Sequence, residues 1–277
     1  MKILIHLILI FIISCSFSPK KEAVISEVFP PSDNCIVLYN LNSRKFEYVS
    51  DVANCHERYP AASTFKIPLA VMAFDAGVLK DPDSGMKWDK VERMIPDWNK
   101  DHNAQSWMKD SVVWFSQRMT PKIGMKKIET YLKNFRYGNQ DMSSGLKYAW
   151  LTPAPFMKEP MSNSLRISAI EQAFFLRELW IVSLPMVSKE SQRLAKSLIV
   201  KEPSSQGVLR GKTGSGFIGE YSDLRIGWFV GHLKSSQAEY IVVSNFVDKQ
   251  KIPGEKTFGG KQAKAMLINE LKARNLW

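Results

Sequence analysis

Ser63-Thr64-Phe65-Lys66 sets a hydroxyl and an amine three positions apart, directly before the apolar run Ile67–Phe74. If that run is helical, the Ser63 and Lys66 side chains lie one turn apart on one face. A serine hydroxyl is a poor nucleophile unless a base sits within hydrogen-bond reach. A lysine amine can be that base only when neutral, and burial among apolar groups drives it there. The chemistry on offer is nucleophilic catalysis by Ser63 with Lys66 as base. Lys212-Thr213-Gly214 presents a second amine and hydroxyl far along the chain, at the end of a stretch that reads as a strand. Either motif alone is weak. Ser18-Pro19-Lys20-Lys21 also fits S-x-x-K and reads as a polar linker.

Further positions fall between and after the two motifs. Ser111-Val112-Val113 brings another hydroxyl, with branched neighbours suited to lining a dry pocket. Tyr137-Gly138-Asn139 precedes the loop that carries Trp150, and Trp228-Phe229-Val230-Gly231 follows on the next predicted strand. An indole is a donor only, so a buried Trp150 needs an acceptor. Each has a plainer reading in isolation. Ser111 is then an ordinary polar residue, Trp150 a core side chain, and Tyr137-Gly138-Asn139 a helix stop with a left-handed residue.

The elements that must position these groups follow from periodicity and punctuation. A hairpin is predicted over Cys35–Tyr39 and Lys45–Val49, with a turn at 40–44. A helix starts near Ser63, with Pro68 in its first turn or two, near where proline costs least. Lys80 to Ser106 reads as loop. A helix is predicted over Thr120–Phe135, with Thr120 as N-cap and Pro121 as first residue. Ser168 and Glu171 form a capping box opening a helix to Trp180, and Ser188–Val200 reads as a further helix. Gly207–Gly214, Leu224–Leu233 and Tyr240–Val247 read as adjacent antiparallel strands, and Gly259–Asn275 as a closing helix. This order predicts an α+β fold: an antiparallel sheet from both chain ends, flanked by helices, with an inserted helical lobe.

The chain has 277 residues, 45% hydrophobic and 23% charged, with formal net charge +11. That length suits one large core or two lobes around a cleft. The basic residues are scattered, which reads as a solvated surface that helps attract anionic substrates and gives no basis for nucleic-acid binding. Lys2 and the apolar Ile3–Ile13 read as an export signal, too short to span a bilayer. Ile12-Ile13-Ser14-Cys15 resembles a lipobox. The alternatives are a lipid anchor on Cys15 or a plain secretory signal ending near Ser16 or Ser18. Residues 1–18 are thus predicted to be the signal and 24–277 the catalytic domain, outside the cytoplasm in the periplasm. Cys35 and Cys55 flank the hairpin and are expected either to form a disulfide or to stay as thiols. The histidines are His6, His56, His102 and His232, none at metal-ligand spacing with Cys, Asp or Glu, so no metal is expected.

S-x-x-K with K-T-G is a pairing of active-serine enzymes that attack β-lactams. With Ser111-Val112-Val113, Tyr137-Gly138-Asn139, Trp150, Gly227-Trp228-Phe229-Val230-Gly231 and Leu165-Arg166-Ile167-Ser168, the chain resembles the class D serine β-lactamases, the oxacillinases, from Cys35 to Leu271. The resemblance implies the serine β-lactamase and penicillin-binding transpeptidase fold. It implies hydrolysis of β-lactam antibiotics through an acyl-enzyme on Ser63. Lys66, carboxylated by carbon dioxide or bicarbonate, would be the general base, in a pocket formed with Phe65, Val113 and the Trp150 indole. Ser111 would relay the proton to the lactam nitrogen. Lys212, Thr213 and Gly214 would hold the substrate, and the backbone N–H groups of Ser63 and Ser215 would form the oxyanion hole. One departure stands out. Where many oxacillinases carry an arginine near the start of the last helix, this chain has Gly260-Lys261-Gln262-Ala263-Lys264, and Lys261 is the candidate for the substrate carboxylate. A penicillin sensor or small penicillin-binding protein is the alternative. The sensor would share Ser63 and Lys66 but deacylate very slowly.

Overall fold

The last two long strands are rich in branched and aromatic residues, and successive side chains along each point to opposite faces, which decides the layer each one joins. The computed structural model describes residues 32–152, 163–218, 223–252 and 257–277. The predicted signal and lipobox lie outside them. In chain order the elements are β1 Ser32–Asn40, β2 Lys45–Val49, α1 Val52–His56, β3 Tyr59–Pro60 and a 3₁₀ turn at Ala62–Phe65. The helical lobe follows: α2 Lys66–Asp75, β4 Gly85–Met86, a 3₁₀ turn at Pro96–Trp98, β5 His102–Asn103, α3 Ala104–Asp110, α4 Val113–Ile123 and α5 Met125–Phe135. Then come β6 Arg166–Ile167, α6 Ala169–Arg177 with a π turn over Glu178–Val182, and α7 Lys189–Leu198. The chain returns to the sheet through β7 Val200–Pro203, β8 Gly207–Ile218, β9 Leu224–Ser235 and β10 Glu239–Asp248, and ends in α8 Gly259–Ala273.

The main sheet is antiparallel with order β2-β1-β10-β9-β8-β7. The first and last parts of the chain therefore meet at its centre, as the α+β reading required. Ile226, Trp228 and Val230 of β9 point into the large core shared with the helical lobe, whereas Phe229 and Leu233 face the opposite way. There they join Ala263, Met266, Leu267 and Leu271 of α8 in a second core. α2 is buried from Lys66 to Phe74. A helix apolar on every side belongs in the middle of a core.

Cys35 in β1 and Cys55 in α1 are joined by a disulfide, with Cα atoms 5.1 Å apart. Ser168 and Glu171 make the capping box of α6, and Ser188 caps α7 through the backbone of Ser191. The predicted helix at Thr120–Phe135 is two helices. α4 starts at Val113 and passes through Thr120 and Pro121; the break comes at Gly124, with φ +88°. Thr120 does not cap: its hydroxyl donates back to the Ser116 carbonyl at 3.3 Å, the local bond that competes with a forward cap. Pro121 lies inside α4, where it has no N–H to give to the helix, and α4 ends two residues later. The stretch read as loop before Ser106 already contains the start of α3, whose capping box is Asn103 with Ser106. Helix α7 stops at Leu198, so Val200 is the first residue of an edge strand.

Candidate active site

Ser63 sits in the 3₁₀ turn that feeds α2, one turn from Lys66, and Lys66 Nζ donates to Ser63 Oγ at 3.2 Å. The turn is held from several sides. Thr64 Oγ1 donates to the Ala61 carbonyl at 2.6 Å and accepts from Gln172 Nε2 of α6 at 2.8 Å. The Trp228 indole of β9 donates to the Pro60 carbonyl at 3.0 Å. Ala62, next to Ser63, is left-handed at φ +47°. A non-glycine residue keeps such a conformation only where its surroundings over-determine it.

Strand β8 lies directly against this turn. A Cβ on Gly214 would stand 3.1 Å from Thr64 Cγ2 and 3.4 Å from the Ala61 carbonyl oxygen. Glycine is therefore what lets Lys212-Thr213-Gly214 approach Ser63. Lys212 is 3% exposed and its Nζ donates to the Thr213 carbonyl at 2.9 Å. Burial pushes its pKa down to about 7. Lys66 is fully buried, and desolvation, helped by the nearby Lys212 charge, holds its amine well below the usual lysine range. Among the described residues neither lysine pairs with a carboxylate. Burial without a counter-charge pushes the Lys66 amine toward the neutral form, the one able to act as a base.

Phe65 is buried and stacks on Trp150, with ring centroids 5.2 Å apart. The Trp150 indole N–H is buried with no hydrogen-bond partner among the described residues. Tyr137 is buried and edge-on to Phe65, so it packs the site's wall and is more than a helix stop. Its next residue, Gly138, is the left-handed one, at φ +56°.

Ser111 is the C-cap of α3 in a left-handed conformation, φ +59° and ψ +35°, and Val113 is the first residue of α4. Sequence reasoning missed what holds this turn. The Trp98 indole donates to the Asp110 carbonyl at 2.9 Å, and the Trp114 indole donates to the Trp98 carbonyl at 2.9 Å. The Trp107 indole donates to Ser116 Oγ at 2.9 Å. Three tryptophans thus spend their only donor around Ser111. The clustering of tryptophans after Lys87 was the available signal.

Ser215 of β8 meets the start of α8 at Gly260. The Gly260 N–H donates to Ser215 Oγ at 2.9 Å. A Cβ on Gly260 would come within 2.8 Å of the Gly214 carbonyl oxygen and of Thr213 Cβ. Lys261 follows at once and is exposed, while Lys264 is engaged with Glu202. Among the described residues no group of three or more His, Cys, Asp or Glu could hold a metal.

A family model of the penicillin binding protein transpeptidase domain matches residues 19–271. Beta-lactamase OXA-1 of Escherichia coli is 36% identical over 238 residues, 83% of this chain and 82% of that protein. Among solved structures, a class D β-lactamase from Bacillus subtilis aligns with TM-score 0.74 at 30% identity, over 88% of this chain and 92% of that one. The C-terminal domain of the Bacillus licheniformis BlaR penicillin receptor aligns with TM-score 0.76 at 26% identity, over 88% and 90%. The family match, the identity to OXA-1 and the shared fold place the chain in one group: it belongs to the class D β-lactamases, within the penicillin-binding-protein transpeptidase family.

Proposed function

We propose that Ser63 is the nucleophile with which this β-lactamase opens the lactam ring, and that Lys66, neutral in its dry pocket, is the root of its base. The observation that carries this is the Lys66–Ser63 contact at 3.2 Å on a lysine with no acidic partner among the described residues. Ser63 Oγ attacks the lactam carbonyl carbon as its proton passes to the Lys66 side. The C–N bond breaks as Ser111 gives its proton to the leaving nitrogen and takes in return the one held on the Lys66 side, which is a free base again. That base then takes a proton from water, the hydroxide attacks the ester carbon, and the proton passes to the departing Ser63 Oγ. The Ser63 and Ser215 N–H groups face the oxyanion of each tetrahedral state. Lys212, Thr213 and Lys261 hold the substrate carboxylate.

Two features support carbon dioxide as a partner of Lys66. Its amine is pushed toward the neutral form, and only a neutral amine adds carbon dioxide. The Trp150 N–H is a buried donor in want of an acceptor. Bound to Lys66, carbon dioxide supplies an anionic oxygen base in place of the bare amine. Phe65, Val113 and Trp150 then serve to exclude water and hold that anion. The disulfide and the apolar Ile3–Ile13 support an exported, periplasmic protein, either soluble or anchored through Cys15.

Turnover of a chromogenic cephalosporin tests the reading. Steady hydrolysis is expected, and Ser63→Ala should give no covalent adduct with penicillin by mass spectrometry. A single stoichiometric burst would instead assign the chain to the penicillin-receptor mode. An adduct on another residue would remove Ser63 from the nucleophile's role.

A further inference from the structure

Arg225 and Asp248 form a buried ion pair between β9 and β10, their side chains 4% and 1% exposed. Arg225 Nε donates to Asp248 Oδ2 at 2.7 Å and Nη2 to Oδ1 at 3.2 Å. The guanidinium reaches further. Nη1 donates to Thr257 Oγ1 at 2.9 Å and Nη2 to Gln262 Oε1 at 3.1 Å. Thr257 and Gln262 bracket the first turn of α8, and Lys261 lies between them. That turn is pressed onto the sheet: a Cβ on Gly227 would meet the Gly259 carbonyl oxygen at 2.2 Å. Its Gly260 N–H is the donor to Ser215 Oγ.

A buried ion pair alone is weak evidence of stabilisation, because apolar residues of similar shape often serve as well. The two extra bonds distinguish this one, because they run from a rigid, planar fork to both sides of one helical turn. Gln262 Nε2 is buried with no hydrogen-bond partner among the described residues. The amide is therefore held through its oxygen, by Arg225.

We propose that Arg225 is a positioning residue for substrate recognition. Through Thr257 and Gln262 it fixes the first turn of α8, whose Gly260 packs on Thr213 and Gly214 and donates to Ser215, and so sets where Lys261 stands relative to Lys212-Thr213-Gly214. The proposal rests on the reading of Lys261 as a contact to the substrate carboxylate. A lysine is a point charge on a flexible stem and lacks the bidentate fork of arginine, so its aim depends on where its backbone is held.

The test is steady-state kinetics on a penicillin and on its methyl ester, with the full-length enzyme. Gln262→Met removes the acceptor and keeps the shape. It should raise KM for the acid roughly tenfold, the size of one charge-assisted hydrogen bond, with kcat nearly unchanged and the ester unaffected. Gln262→Glu keeps an acceptor for Arg225 and should restore KM. The paired change Arg225→Met with Asp248→Leu leaves no lone buried charge and should show the same acid-specific rise. On a Lys261→Ala background, Gln262→Met should add nothing, because both act on one contact. Equal changes for acid and ester, or a fall in kcat without a change in KM, would reduce Arg225 to a structural tie and overturn the proposal. If Lys261→Ala leaves KM unchanged while Gln262→Met still raises it for the acid alone, the Lys261 contact is wrong and the turn acts on the carboxylate through Thr213, against which Gly260 packs.

Discussion

Arg225 and Lys66 are both removed from water, yet their surroundings are opposites. Arg225 has Asp248, Thr257 and Gln262 on its fork and the Phe246 ring beneath it. Lys66 has one serine hydroxyl and a second cation nearby. The first site keeps its charge because every cost of burial is offset by a partner. The second is pushed toward the neutral amine because no carboxylate among the described residues offsets the cost. Where the molecule needs a fixed shape it completes the pairing, and where it needs reactivity it withholds it.

Single substitutions should therefore act with opposite sign at the two sites. Arg225→Met alone leaves Asp248 buried without its cation and should cost about 3–5 kcal/mol of stability. Lys212→Met should do the reverse. The Lys212 pKa falls from 10.5 to about 7 in the folded protein. Between those values the unfolded chain binds the extra proton, so stability rises with pH across that window. Below about 7 both states are protonated and the whole cost of burying the charge is present. Lys212→Met should thus stabilise most in mildly acid solution, with the gain fading toward pH 10.5. Denaturation midpoints of both variants across pH check this, and a loss of stability on Lys212→Met at pH 6 would break the comparison.

The same Lys212→Met enzyme should lose activity as it gains stability. One charge-assisted contact to the substrate is worth on the order of 1.5–3 kcal/mol. A matching fall in kcat/KM on a penicillin is the expected outcome, and unchanged kinetics would remove Lys212 from substrate binding.

Much of this site was legible in the sequence because its chemistry is local. Ser63 and Lys66 are one helical turn apart, and Lys212-Thr213-Gly214 is contiguous on a strand. The Arg225 fork, the Gln172 bond to Thr64 and the Trp98 bond to Asp110 left no such mark. Their partners are distant in sequence, and nothing in an isolated Arg or Gln says which carbonyl or carboxylate it will meet. The fold was legible in its sheet for a similar reason, since the runs that became β9 and β10 are contiguous and rich in branched and aromatic residues. It was misread at Thr120-Pro121, where residues typical of a helix start sit inside a helix and Gly124 makes the break.

A smaller effect sharpens the contrast between shape and reactivity at Ser111. Its left-handed backbone, φ +59°, is a cost that glycine does not carry. Ser111→Gly and Ser111→Ala both remove the hydroxyl and should both slow acylation. The glycine variant should be the more stable of the two by about 1 kcal/mol, measured by denaturant midpoint. Equal stabilities would mean that the turn stores no strain.

The state of the Lys66 amine decides which base serves Ser63. Purified enzyme incubated with ¹³C-labelled bicarbonate should show a carbamate carbon resonance by NMR. The signal should vanish on mild acidification, when the amine protonates, and weaken in Trp150→Ala, which lacks the buried donor. Activity should fall and recover with it as bicarbonate is removed and restored. No carbamate signal, together with full activity in degassed buffer, would contradict the account and leave Lys66 working as a bare amine.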